Sequence, residues 1–177
     1  MDTSNWIVYE SKRYGFDIKH PPGWIVTPAR HDWTLEKDAA DWGGYGGDDF
    51  SPPSKDVFVS VWSTPTNTPE TVEGVAAWVE DYCTKGGFSC TGLDKSVRLC
   101  SERDCLPGLL VTADGKYAEA FFTGGKHKGQ MVGVAVGRPE WHETVTHYGG
   151  SRRLLEGFLA GMGVCPARPD GMPPSCG

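Results

Sequence analysis

The sequence predicts an α+β domain with an antiparallel sheet, and three observations lead there. Short β-rich runs open the chain, and two helices with one apolar face each are punctuated by cap signals. Between those helices lies a meander whose Asp114-Gly115 step is a strong tight-hairpin signal. Strands, helix, meander, helix is the order of such a domain.

Taken in order, Trp6–Tyr9 and Phe16–Ile18 read as strands joined by the polar Glu10–Arg13 turn. Trp24–Thr27 follows Pro21-Pro22-Gly23, where two prolines that cannot donate to a ladder require a turn or an edge. Residues 29–56 show no sustained period, and a long structureless loop in a compact domain is usually functional or mobile. Val57–Trp62 is the next strand. A helix follows, with Thr68 as cap, Pro69 at its first position and Glu70 complementing the dipole. Val72, Val75, Ala76, Val79 and Cys83 line its apolar face, and Gly86-Gly87 ends it. The meander runs through Ser96–Cys100, Leu109–Thr112, Tyr117–Phe122 and Met131–Val136, with a reversal at Gly124–Gly129. A further helical piece is expected over Pro139–His147. The closing helix starts at Ser151 as cap and buries Leu154, Leu155, Phe158, Leu159 and Met162. The expected organisation is one domain over residues 1–163 and a Pro-rich tail over residues 164–177.

A chain of 177 residues is long enough to bury a substantial core in one domain. Its net charge of −6 disfavours a nucleic-acid partner, because phosphate binding depends on Lys and Arg. The six cysteines lie close together in pairs, none spaced by two residues, so zinc-knuckle and thioredoxin patterns are absent. Pairing by sequence neighbours gives Cys83–Cys90, Cys100–Cys105 and Cys165–Cys176, with the second the firmest because it flanks a strand turn. Such bridges persist in oxidising compartments, which predicts an extracytoplasmic location. The opening residues 1–5 have neither a basic start nor an apolar region, so the export signal or membrane anchor is expected outside this chain.

The phrase Tyr14-Gly15-Phe16-Asp17-Ile18, with Pro21-Pro22-Gly23-Trp24 after it, resembles the opening hairpin of the Mog1/PsbP-like family. The Trp-ending strand before the first helix, the meander and the Leu-Leu-x-x-Phe core of the last helix are similar to the same succession, over about residues 6–163. Pro28–Trp33, Asp49-Phe50 and Val59–Trp62 also resemble exported domains of actinobacterial type. The resemblance implies an α/β/α sandwich, a central antiparallel sheet flanked by helices. It implies a secreted protein or lipoprotein and no shared catalytic motif. The family's photosystem and Ran-binding roles are unsupported here, since the six cysteines and the Gly-Asp insertion depart from its pattern.

No Gly-x-Ser-x-Gly elbow occurs, and Gly149-Gly150-Ser151 reads as a helix cap. Gly125-Lys126-His127 is a hairpin tip, not a phosphate loop. His142-Glu143 with His147 has i, i+5 spacing, which at ~100° per residue swings the imidazoles roughly 140° apart on a helix. His20 and His31 each lack a sequence-local nucleophile. Asp38, Asp41, Asp48 and Asp49 could supply oxygen ligands to Ca²⁺, but without EF-hand spacing a solvated acidic loop is the preferred reading. Trp33, Trp42 and Tyr45 in the same loop form either a platform for a ligand or partner, or the cover of the sheet; the cover is preferred because tryptophan is highly buried on average.

The sequence thus predicts a non-catalytic extracytoplasmic interaction or scaffold domain without cofactor, whose partner is a protein or small ligand. A module binding glycan, lipid or a calcium-bridged ligand through the 29–56 loop ranks second. A hydrolase with a non-standard triad ranks third.

Overall fold

The structure is a computed structural model that describes residues 2–36, 45–86, 93–94, 99–100, 105–113, 117–137 and 147–166. It is a mixed α+β fold. Its strands are β1 (Ile7–Glu10), β2 (Asp17–His20), β3 (Ile25–Thr27), β4 (Asp48–Ser51) and β5 (Phe58–Pro65). After helix α1 (Val72–Gly86) come β6 (Leu93–Asp94), β7 (Leu99–Cys100), β8 (Cys105–Leu106), β9 (Gly108–Ala113), β10 (Tyr117–Gly124) and β11 (His127–Gly137). Helix α2 (Ser151–Gly161) and β12 (Cys165–Pro166) close the chain.

A seven-stranded sheet in the order β3-β4-β5-β11-β10-β9-β6 forms the centre, and each of its strand pairs is antiparallel. Side chains alternate between its faces. Val59, Val61, Ala118, Ala120, Phe122, Val132, Val134 and Val136 point toward α2, joining Leu154, Leu155, Phe158 and Leu159 in one buried cluster. Trp62, Leu109, Val111, Phe121 and Met131 point the other way, against Val75, Ala76, Val79, Tyr82 and Cys83 of α1. Strands β1 and β2 form a separate two-stranded ribbon, and β12-β7-β8 a small third sheet.

The Pro21-Pro22-Gly23 turn therefore does not close a hairpin. It carries the chain from the ribbon into the large sheet, tightened by the Trp24 amide donating to the Pro21 carbonyl at 3.3 Å. Residues 29–56 are not wholly loop, because β4 inserts between β3 and β5. Its sequence, Asp-Asp-Phe-Ser, carries two acids, and Asp48 and Phe50 are its buried residues.

Both expected helix caps shift. Thr71, not Thr68, caps α1, since its hydroxyl accepts the Gly74 amide at 3.0 Å. Glu70 instead accepts the Gly129 amide at 3.1 Å, tying the helix entrance to β11. Ser151 is the first residue of α2 and is buried; Gly150, at φ 105, is the cap, a backbone conformation open to glycine. Val164 is buried in the core, and β12 pairs with β7, so the chain still packs just beyond residue 163.

Cys100 and Cys105, register partners on β7 and β8, form a disulfide. Cys83 is also disulfide-bonded. Cys90, Cys176 and the Cys165 side chain lie outside the described residues, as does the expected helical piece over Pro139–His147 apart from His147 itself. Among the described residues, no helix is long and apolar enough to cross a membrane.

Candidate functional site

From the 29–56 loop, Trp33 meets the sheet at Trp62. This indole lies flat over β11 at Gly133, its register partner, where a built Cβ would sit 2.2 Å from the ring. Trp33 stacks on Trp62 with centroids 3.8 Å apart and planes 4° from parallel. Trp78 and Tyr82, one turn apart on α1, stack on each other at 5.7 Å, and both approach Phe121 of β10. Trp33 is only 8% exposed. It is the cover of this face and presents no open platform.

The neck of the loop is pinned by short polar contacts. The Tyr14 hydroxyl donates to the Gly46 carbonyl and accepts the Trp33 amide, the latter at 3.1 Å. Burial pushes that hydroxyl's pKa well up. The Arg30 amide donates to the Tyr45 carbonyl at 2.7 Å. Arg13 reaches the Arg30 carbonyl at 3.2 Å and the Asp32 carboxylate at 2.8 Å. Tyr45 is exposed, carries the Arg30 guanidinium 4.2 Å above its ring, and adopts φ 63.

Asp48 is fully buried at this neck. Its carboxylate accepts the Ser11 hydroxyl at 2.5 Å, the Tyr9 hydroxyl at 3.0 Å and the Ala29 amide at 2.9 Å. Three donors from two segments make it a clasp between the ribbon and the large sheet. Burial, with the Asp48 charge adding to it, raises the Tyr9 hydroxyl to about 12. Asp49 lies on β4 opposite Ser60 and is half-buried. Asp38, Asp41 and Trp42 lie outside the described residues. Among those described, no group of three His, Cys, Asp or Glu side chains is placed to hold a metal ion.

The histidines are dispersed. His31 is half-buried, with its Nδ1 2.8 Å from the Asp32 carbonyl, and His147 is exposed against Tyr148. His142 and Glu143 are outside the described residues.

Sequence reasoning missed Glu119. On β10 it faces α1 between its register partners Val111 and Ala135, where the Tyr82 hydroxyl donates to it at 3.2 Å. Desolvation raises its carboxyl to about 7, against which the Tyr82 hydrogen bond works. The signal was present: in Ala118-Glu119-Ala120-Phe121-Phe122 a lone acid shares the parity of Phe121, which marks it as inward-facing. A carboxyl of this kind can exchange a proton near neutrality, but helix α1 covers it.

Neither a known family model nor a curated protein sequence matches the chain.

Proposed function

We propose that this chain is a non-catalytic, extracytoplasmic interaction domain on the Mog1/PsbP-like plan, and that a partner's extended segment docks along β1. One observation carries the docking reading. Ile7 and Val8, consecutive on β1, are 48% and 58% exposed, so both faces of this strand meet solvent. Among the described residues β1 pairs with β2 alone, leaving an edge whose N–H and C=O groups can add a strand. Edge strands are commonly blunted by lysine, proline or a bulge, yet Ile7-Val8-Tyr9-Glu10 carries neither residue and keeps a regular register.

The other parts of the reading rest on separate grounds. The Cys100–Cys105 bridge and the bridged Cys83 favour an oxidising compartment. The groups whose titration the fold displaces are spread over both sheet faces and the loop neck, with Glu119 behind α1 and His20 on β2. A catalytic centre would gather them in one cleft. The Mog1/PsbP-like assignment draws on the Tyr14–Trp24 phrase and the antiparallel sheet.

A ligand-binding module at the loop is the second reading, and the exposed Tyr45 under Arg30 favours it. Peptides selected from a random library against the whole chain separate the two. With Ile7→Lys and Val8→Lys combined, binding should weaken by at least about tenfold, about 1.4 kcal/mol. Tyr45→Ala should leave it unchanged. The opposite pattern would move the binding function to the loop neck.

A further inference from the structure

The β1–β2 ribbon packs on the α2 side of the large sheet, with Ile18 in the same buried cluster, and two buried histidines stand where it is joined. His20, the last residue of β2, is 6% exposed and packs on Phe50 of β4 with centroids 5.4 Å apart. Its Nδ1 lies 3.0 Å from the Pro21 carbonyl; that oxygen only accepts, so Nδ1 carries the proton and an added one must go to Nε2. His127, the first residue of β11, is 7% exposed. Its ring meets the edges of Phe16, just before β2, and Phe122 of β10, at 5.3 and 5.7 Å. Its Nε2 is buried without a hydrogen-bond partner.

From this geometry we infer that the ribbon is an acid-released element: protonating His20 and His127 detaches β1–β2 from a sheet that stays folded. The neutral rings sit on phenylalanines, whereas their cations would be buried there with no carboxylate of the described residues in hydrogen-bond contact. Lys126, beside His127 in the turn, is the charged group that bears on it and repels the added charge. Around His20, Tyr9 shares the Phe50 ring and is hydrogen-bonded to Asp48, whose carboxylate is occupied by three donors. On β1 and β2 the charged side chains Glu10, Asp17 and Lys19 are exposed. On α2, which packs against β2, Arg153 is exposed and Glu156 is paired with Arg152 at 3.1 Å.

The direction follows from linkage. Burial lowers both histidines, His127 from 6.5 to about 4. A depressed histidine contributes stability that is complete above 6.5 and disappears as pH falls through its folded value. Release therefore belongs to the interval from about 6.5 down to about 4. None of this depends on what, if anything, docks at β1.

Amide exchange of the whole chain, corrected for intrinsic rates, tests the inference between pH 7 and pH 4. Protection of Ile7–Glu10 and Asp17–His20 should fall, at most about tenfold per pH unit for each proton taken up, while Val132–Val136 stays protected. His20→Phe with His127→Phe should remove that fall. Should the double variant not fold, the wild-type imidazole titration decides, because both rings must titrate below 6.5 and together with the ribbon's loss of protection. Simultaneous loss in ribbon and sheet, release unaltered in the variant, or imidazoles titrating at the free value would each overturn it.

Discussion

The two faces of the large sheet are closed by different means. Toward α2, valines and alanines of β5, β10 and β11 meet leucines and Phe158 in an aliphatic layer, with Trp6, Trp24 and Tyr148 packed at one end. Toward α1, helix packing reaches β9 and β10, and the neighbouring strands are covered by an indole brought in by a loop. The first face is completed by regular elements whose periodicity the sequence displays. The second needs a residue from an aperiodic segment, so that loop is part of the core.

If the stacked indoles close the second face, Trp62→Ala should cost about 3–5 kcal/mol, as large-to-small changes in cores do. Phe158→Ala should cost a similar amount on the first face. Denaturant unfolding checks both. A Trp33→Ala variant that unfolds at the wild-type midpoint would break the comparison, because Trp33 would then be covering nothing.

The next effect distinguishes the faces by their polar content. Glu119 lies on the α1 side, and its carboxyl is raised from 4.5 to about 7. Its neutral form is the favoured one in the fold, so its contribution is complete below 4.5 and lost as pH rises through about 7. Glu119→Gln should therefore match the wild type near pH 4 and exceed it by up to roughly 3 kcal/mol at pH 8. Equal stability at pH 8 would show that the carboxyl is solvated. Removing the Tyr82 donor with Tyr82→Phe should cost about 1 kcal/mol.

Smaller than the Glu119 effect is that of the Cys100–Cys105 bridge, which closes a short loop on the small third sheet. Replacing both cysteines by alanine should lower stability by about 2 kcal/mol on the chain-closure account. On the ribbon, Ile7→Lys and Val8→Lys should each change stability by less than about 0.5 kcal/mol, because neither side chain is buried.

What the sequence disclosed follows the same division. The two described helices, β5 and the β9, β10 and β11 strands of the meander were legible because their burial repeats with the period of the element, as in Val75, Ala76, Val79 and Cys83. The meander's expected first strand, β7, belongs instead to the small third sheet. The Cys100–Cys105 pairing was legible because it spans a strand turn. Strand β4 was not, since its one buried apolar residue, Phe50, follows two acids that also suit a cation-binding loop. The separation of ribbon from sheet was also hidden: Pro21-Pro22-Gly23 announces a turn but does not say which strands it joins. Trp33 could be weighed only by the average burial of tryptophan, because its partner Trp62 is distant in sequence and no local period connects them. Asp48 read as one acid of a solvated loop, whereas it is buried among three hydrogen-bond donors from segments far apart in the chain.

The docking reading is met most directly by backbone chemical-shift mapping of a library-selected peptide on the labelled chain at neutral pH. The account predicts that the largest shifts and a gain in amide protection fall on Ile7–Glu10, with Arg30 and Tyr45 unmoved. Shifts centred on Arg30 and Tyr45, with β1 unchanged, would contradict it.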